Sequence, residues 1–197
     1  MGKDEFIALL NSELSNSEIC ERTIFSDEAW LIKQLHLENH REKYIEFKLF
    51  FANFFGVAPR NICLVGSGKT GFSLTPENNL RDFDNEKSDL DLIIVSSELF
   101  EKFWSTLLNG HYNWNLKLWE GHKSNVFRRF VSFKPFIEKE IQEIRDWNVK
   151  MGELQSSVYV NFDISTTVNY RIYRDWDSAH LYHCNGIEAL RRLYATK

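Results

Sequence analysis

The sequence predicts a mixed α+β fold, a mixed β-sheet flanked by helices, with an N-terminal helical extension. Three observations carry that expectation. Apolar and aromatic residues recur at three-to-four spacing before Gly56. Two short strand-like runs follow, Ile62-Cys63-Leu64-Val65 and the apolar run within Ser88-Asp89-Leu90-Asp91-Leu92-Ile93-Ile94-Val95. Beyond them helical periods alternate with further strand-like runs. The division expected is an extension over 1–58 and a main domain over 59–197.

In the extension, Tyr44, Phe47, Phe51, Phe54 and Phe55 form an aromatic stripe widened by Ile45 and Leu49, which reads as core packing. Gly56 and Pro59 supply the stop. Ile62–Val65 is the first strand, and a Gly-rich turn leads into Phe72 and Leu74. Thr75 to Lys87 is polar and loop-like. After the second strand, Ser96-Ser97 can cap a helix over Glu98 to Leu108 that Asn109-Gly110 would end. From His111 to Phe133 aromatic and basic residues intermingle; a pair of strands burying their rings is the simpler reading, and a surface that stacks a base and binds phosphate the other.

Ile137, Ile141 and Ile144 mark an amphipathic helix from about Pro135 to Val149, ending near Gly152. Ser157 to Ile164 alternates as a strand should, with Val158, Val160, Phe162 and Ile164 on one face and Asp163 on the other. Val168, Tyr170 and Ile172 suggest another strand, with Arg171 and Arg174 available for phosphate or for surface pairing. The tail from Asp177 to Tyr194 reads as a helix with Leu181, Ile187, Leu190 and Leu193 inward.

Composition bounds the function. The chain has 197 residues, 43% hydrophobic and 15% aromatic, enough for one substantial core, and a net charge of -4 provides no global basic field for tight binding to long nucleic acid. Cys20, Cys63 and Cys184 are odd in number and far apart in sequence, so free thiols and a cytoplasmic location are expected. The start is acidic and no long apolar stretch follows, so neither a signal peptide nor a membrane partner is expected.

The chemistry concentrates in Ser88-Asp89-Leu90-Asp91-Leu92. Strand alternation sends Asp89 and Asp91 to one side at the mouth of a buried run. Two like charges held together call for a cation, and paired carboxylates plus substrate phosphate are what Mg²⁺ prefers. Gly66-Ser67 stands upstream, at the end of the first strand.

With Val65-Gly66-Ser67 and Asp89-Leu90-Asp91-Leu92 the chain resembles the nucleotidyltransferase superfamily of DNA polymerase β, poly(A) polymerases and the minimal nucleotidyltransferases. The resemblance covers roughly residues 61 to 164. It implies a nucleotidyltransferase-like core, a nucleoside triphosphate substrate and Mg²⁺ (or Mn²⁺) on Asp89 and Asp91. It also implies a Gly66-Ser67 turn on the triphosphate, to which Lys69 would add charge, and a third carboxylate on a later strand, for which Asp163 is the choice. The spacer from Gly68 to Ser88 is longer than the family's usual one and reads as an inserted loop over the site. The implied activity is transfer of a nucleoside monophosphate to a protein, RNA or small-molecule acceptor. Because the chain ends soon after Asp163, the compact members found in toxin-antitoxin or phage-defence modules fit better than polymerising ones. The alternative is a catalytically degenerate nucleotide-binding or regulatory protein on the same fold.

Other readings are weaker. Gly66-Ser67-Gly68-Lys69-Thr70 is not an ATPase phosphate loop, because the leading glycine position is Cys63 and Gly71 and Pro76 interrupt the required helix. His180, His183 and Cys184 lack a fourth zinc ligand nearby and read as helix packing, and His36 and His40 as surface histidines.

Overall fold

The computed structural model describes residues 1–114, 118–133 and 141–195. Four helices come first: α1 (Lys3–Leu10), α2 (Asn16–Thr23), α3 (Trp30–Leu35) and α4 (His40–Phe55). Ser15 caps α2, accepting from the Glu18 amide while Glu18 reaches back to the Ser15 amide. Gly56 ends α4 at φ 70°, a left-handed conformation that favours glycine. Strand β1 (Ile62–Val65) runs into the short helix α5 (Gly66–Thr70), and a long loop leads to β2 (Leu90–Val95). Helices α6 (Ser97–Trp114) and α7 (Leu118–Phe127), strand β3 (Phe130–Val131), helix α8 (Gln142–Phe162), strand β4 (Val168–Tyr173) and helix α9 (Trp176–Tyr194) complete the order.

The strands form one mixed sheet in the order β1-β2-β4-β3. β1 is antiparallel to β2, β2 parallel to β4, and β3 antiparallel to β4. Each face carries its own core. Leu64, Leu90, Leu92, Ile94 and Ile172 pack under the aromatic stripe of α4 and the apolar faces of α6 and α8. Cys63, Val65, Ile93, Val95 and Tyr173 pack under α1, α2 and α9. The extension is therefore divided between the two faces, with α3 and α4 on one and α1 and α2 on the other.

The alternation of β2 explains the split. Even-numbered positions enter the first core and odd ones the second, and Asp91 interrupts the second series. On the first face the tilted rings of Phe47 and Phe51 lie 4.6 Å apart between centroids, and Phe162 meets Phe47 at 5.4 Å. Two polar side chains there are satisfied: the Trp147 indole donates to the Tyr170 hydroxyl at 2.6 Å, and the Leu64 amide donates to the Tyr44 hydroxyl at 3.2 Å.

Several expectations are corrected. Ser157 to Ile164 is not a strand: α8 continues through Gly152 to Phe162. Ile144, Trp147, Leu154, Val158 and Phe162 follow the helical period and are buried, whereas Val160 is exposed. The apolar alternation over eight residues coincided with that longer period. α6 likewise runs through Asn109-Gly110, and the aromatic-basic segment forms α7 and the short β3 rather than two ring-burying strands. Residues 134–140, where the helix from Pro135 was expected to begin, lie outside the described residues. On α9, Ile187 and Leu190 are buried but Leu181 and Leu193 are exposed. All three cysteines are free thiols, although Cys20 and Cys184, remote in sequence, bring their sulfurs to 3.6 Å. Among the described residues, no helix is long and apolar enough to cross a membrane.

Candidate active site

A cleft of about 960 Å³ opens on the α9 side of the sheet, at the end where β1 finishes and β2 begins. Gly66 and Ser67, the first residues of α5, line it together with Asp89 and Asp91. Val65 pairs with Asp91 in the β1–β2 register, so the chain turns into α5 directly beside that carboxylate.

Gly66 is required there. Its φ is 67°, and a Cβ built on it would lie 2.7 Å from Asp91 Oδ2. The backbone of the turn is thereby laid against the acid, and Gly66 and Ser67 line the cleft beside it.

Asp89 is exposed just ahead of the strand and Asp91 is half-buried within it. Neither carboxylate has a hydrogen bond or an ion pair among the described residues. Burial pushes the Asp91 carboxyl up to about 6; Arg171 opposes that rise and the neighbouring Asp89 adds to it. An acid desolvated without a hydrogen-bond partner stores unfavourable energy that a bound cation would relieve.

The long loop forms a wall of the cleft. Phe72 bridges Asp82, the Ser73 amide donates to the Arg81 carbonyl at 2.8 Å, and the Phe83 amide donates to the Gly71 carbonyl at 2.9 Å. The buried Ser88 closes the loop, donating its amide to the Asp84 carbonyl and accepting from the Asp84 amide. Asn79 accepts from the Tyr194 hydroxyl at 2.6 Å and so ties the loop to α9. Leu74, Thr75, Asn78 and Arg81 face the cleft.

The remaining wall comes from β4, from the end of α7 and from α9. Arg171 follows Asn169, the register partner of Asp91, by two residues and lies on the same sheet face. Its guanidinium is 5.4 Å from the Tyr182 ring centroid and 5.9 Å from that of Phe130. Arg128 approaches Tyr182 at 5.7 Å. His183 also lines the cleft, and burial, with Arg171 adding to the effect, pushes its imidazole down to about 3, so it stays neutral.

Two predicted site residues are elsewhere. Asp163 caps the C-terminus of α8 at φ 55°, is exposed, and does not line the cleft. Its assignment as third carboxylate rested on a strand that is a helix. Lys69 is buried on the far side of α5, where its ammonium donates to the Ser26 carbonyl and lies 5.0 Å from the Tyr44 ring centroid. Burial lowers its proton affinity, and its side chain does not reach the cleft. Arg128 falls in the aromatic-basic segment whose alternative reading is a phosphate-binding surface, whereas sequence reasoning missed Tyr182; which rings and cations meet is set by tertiary packing alone.

No group of three or more His, Cys, Asp or Glu side chains among the described residues is disposed to hold a metal ion. Asp89 and Asp91 therefore offer two carboxylates, a donor set that suits a hard cation completed by water and phosphate oxygens and not a closed protein cage. Compared with known proteins, the chain matches no family model, no curated protein and no solved structure.

Proposed function

We propose that the chain is a metal-dependent nucleotidyltransferase that moves a nucleoside monophosphate from a nucleoside triphosphate onto an acceptor. The observation that carries this reading is one open cleft lined by the Gly66-Ser67 turn and by the carboxylates Asp89 and Asp91, unpartnered among the described residues, with Asp91 set against Gly66. The meeting of the Gly66-Ser67 and Asp89-Asp91 segments at one end of the sheet, with the 21 residues from Gly68 to Ser88 between them, supports this reading.

In this reading Asp89 and Asp91 hold Mg²⁺ or Mn²⁺. The bound cation supplies charge neutralisation at the triphosphate and at the departing pyrophosphate. The Gly66 and Ser67 amides and the Ser67 hydroxyl hold the β and γ phosphates. The long loop and Arg81 cover the nucleotide, and Arg171 of β4 and Arg128, just after α7, face it across the cleft. Asp163 and Lys69 have no part in the reaction. Protein, RNA and small-molecule acceptors all remain open to this chemistry, including those of a compact toxin-antitoxin or phage-defence enzyme.

The test is nucleotide incorporation from α-labelled triphosphates with and without divalent cation. Asp89→Asn should reduce incorporation by about a hundredfold or more while leaving the circular dichroism spectrum unchanged. Undiminished incorporation in that variant refutes the assignment. A second reading, a nucleotide-binding regulatory protein on a degenerate site, is favoured by one observation: the strand beside β2 brings Asn169 and Arg171, not an acid, to the Asp91 face. Cation-dependent nucleotide binding with no incorporation into any acceptor would select it.

A further inference from the structure

Arg128 and Arg171 both set their guanidinium groups against the ring of Tyr182, on the wall of the cleft that β4, α7 and α9 form, away from the Gly66-Ser67 turn on β1. Neither has a carboxylate within ion-pair distance among the described residues, whereas nearby Arg129 and Arg174 pair with Asp175 and Glu101. Planar guanidiniums held by an aromatic ring keep their N–H edges free for an oxyanion. A hydroxyl acceptor must lose a proton as it attacks, and a guanidinium beside Asp91 is the wrong charge to receive it. An acceptor that is already anionic needs no such base.

Resting on the nucleotidyltransferase reading, we propose that the acceptor is a phosphomonoester, held by Arg128 and Arg171, whose phosphate oxygen attacks the α-phosphorus directly. A new P–O–P bond forms between the acceptor phosphate and the nucleotide's α-phosphorus. The bond from the α-phosphorus to the oxygen bridging to the β-phosphorus breaks, and pyrophosphate leaves with that electron pair. The attacking lone pair comes from a dianionic phosphate, so the transfer step requires no protein group to take up a proton. A doubly charged phosphate matches two guanidiniums, whereas a carboxylate would leave one unmet.

The experiment uses the full chain with saturating Mg²⁺ and the α,β-methylene analogue of ATP, titrated calorimetrically with inorganic phosphate at constant ionic strength. The titrations are run at pH 8, where phosphate is predominantly dianionic. Phosphate should bind to the analogue complex and bind at least tenfold more weakly in Arg128→Gln and Arg171→Gln. Phosphate that displaces the analogue, or that binds both variants as tightly as the unaltered chain, overturns the proposal. Turnover of α-labelled ATP identifies the source of the phosphate, using glucose 1-phosphate against glucose and a 5′-phosphorylated against a 5′-hydroxyl oligoribonucleotide. Label confined to the phosphorylated member of either pair supports the proposal, and label on the hydroxyl members overturns it. Failure to bind the analogue with Mg²⁺ is a separate result, because it removes the nucleotidyltransferase reading itself.

Discussion

The two faces of the sheet use the same strands to opposite ends. Under α4, α6 and α8, Leu90, Leu92 and Ile94 meet a layer of interlocking aromatic rings, and Trp147 and Tyr44 find hydrogen-bond partners there. On the other face Ile93 and Val95 are covered just as well, but Asp91, two residues earlier, is desolvated and left without a hydrogen bond. A single strand therefore moves from a packed apolar side chain to a desolvated acid within two residues. The closed face supplies the stability that lets the open face carry an unfavourable group.

The largest effect that sharpens this contrast is expected from the closed face. Phe47 is fully buried between Tyr44, Phe51 and Phe162, and Phe47→Ala should lower the unfolding free energy by about 3–5 kcal/mol, measured by denaturant titration. A loss under ~1 kcal/mol would show that this face is not the stabilising one.

Asp91→Asn should act in the opposite direction. The folded-state proton affinity of Asp91 is raised, from an ordinary 3.8 to about 6, so the folded chain binds more protons than the unfolded one between those values. Stability therefore falls as pH rises through that window, and the full penalty is present above it. In the absence of divalent cation the variant should be more stable than the unaltered chain by about 1–3 kcal/mol at pH 8, with the gain fading toward pH 4. Destabilisation at pH 8 would mean that Asp91 has a favourable partner.

Gly66→Ala joins the two faces' logic at one atom. The left-handed φ and the 2.7 Å approach to Asp91 Oδ2 predict a loss of about 1–2 kcal/mol in stability, accompanied by weaker cation-dependent nucleotide binding. Unchanged nucleotide affinity would detach the turn from the site. The smallest effect belongs to Lys69→Met, which should leave nucleotide affinity within about twofold, because the ammonium is buried against Ser26 and Tyr44 away from the cleft. A tenfold loss would return Lys69 to the phosphates.

Much of this arrangement was legible in the sequence. The strands 62–65 and 90–95, the aromatic stripe of α4 and the tail helix follow from local period and stop signals that tertiary structure respects. Asp89 and Asp91 do line one cleft, but Asp89 lies just ahead of β2, so strand alternation alone does not place it there. Asp163 was misplaced for a physical reason: Val158 and Phe162 satisfy a period of two and a period of four alike, and only contact with α4 decides between them. Lys69 was misplaced because a five-residue helix turns its side chains away from one another within a few positions. The wall of Arg128, Arg171 and Tyr182 joins α7, β4 and α9, and no local signal reports which elements meet.

Thermal unfolding of the unaltered chain and of Asp91→Asn, with and without a ribonucleoside triphosphate and Mg²⁺, tests the central claim most directly. The account predicts that nucleotide and Mg²⁺ stabilise the unaltered chain only together. The gain should increase from pH 5 to pH 7 as Asp91 ionises, and the variant should show none. Stabilisation by nucleotide without a divalent ion, or an equal gain in Asp91→Asn, would contradict it.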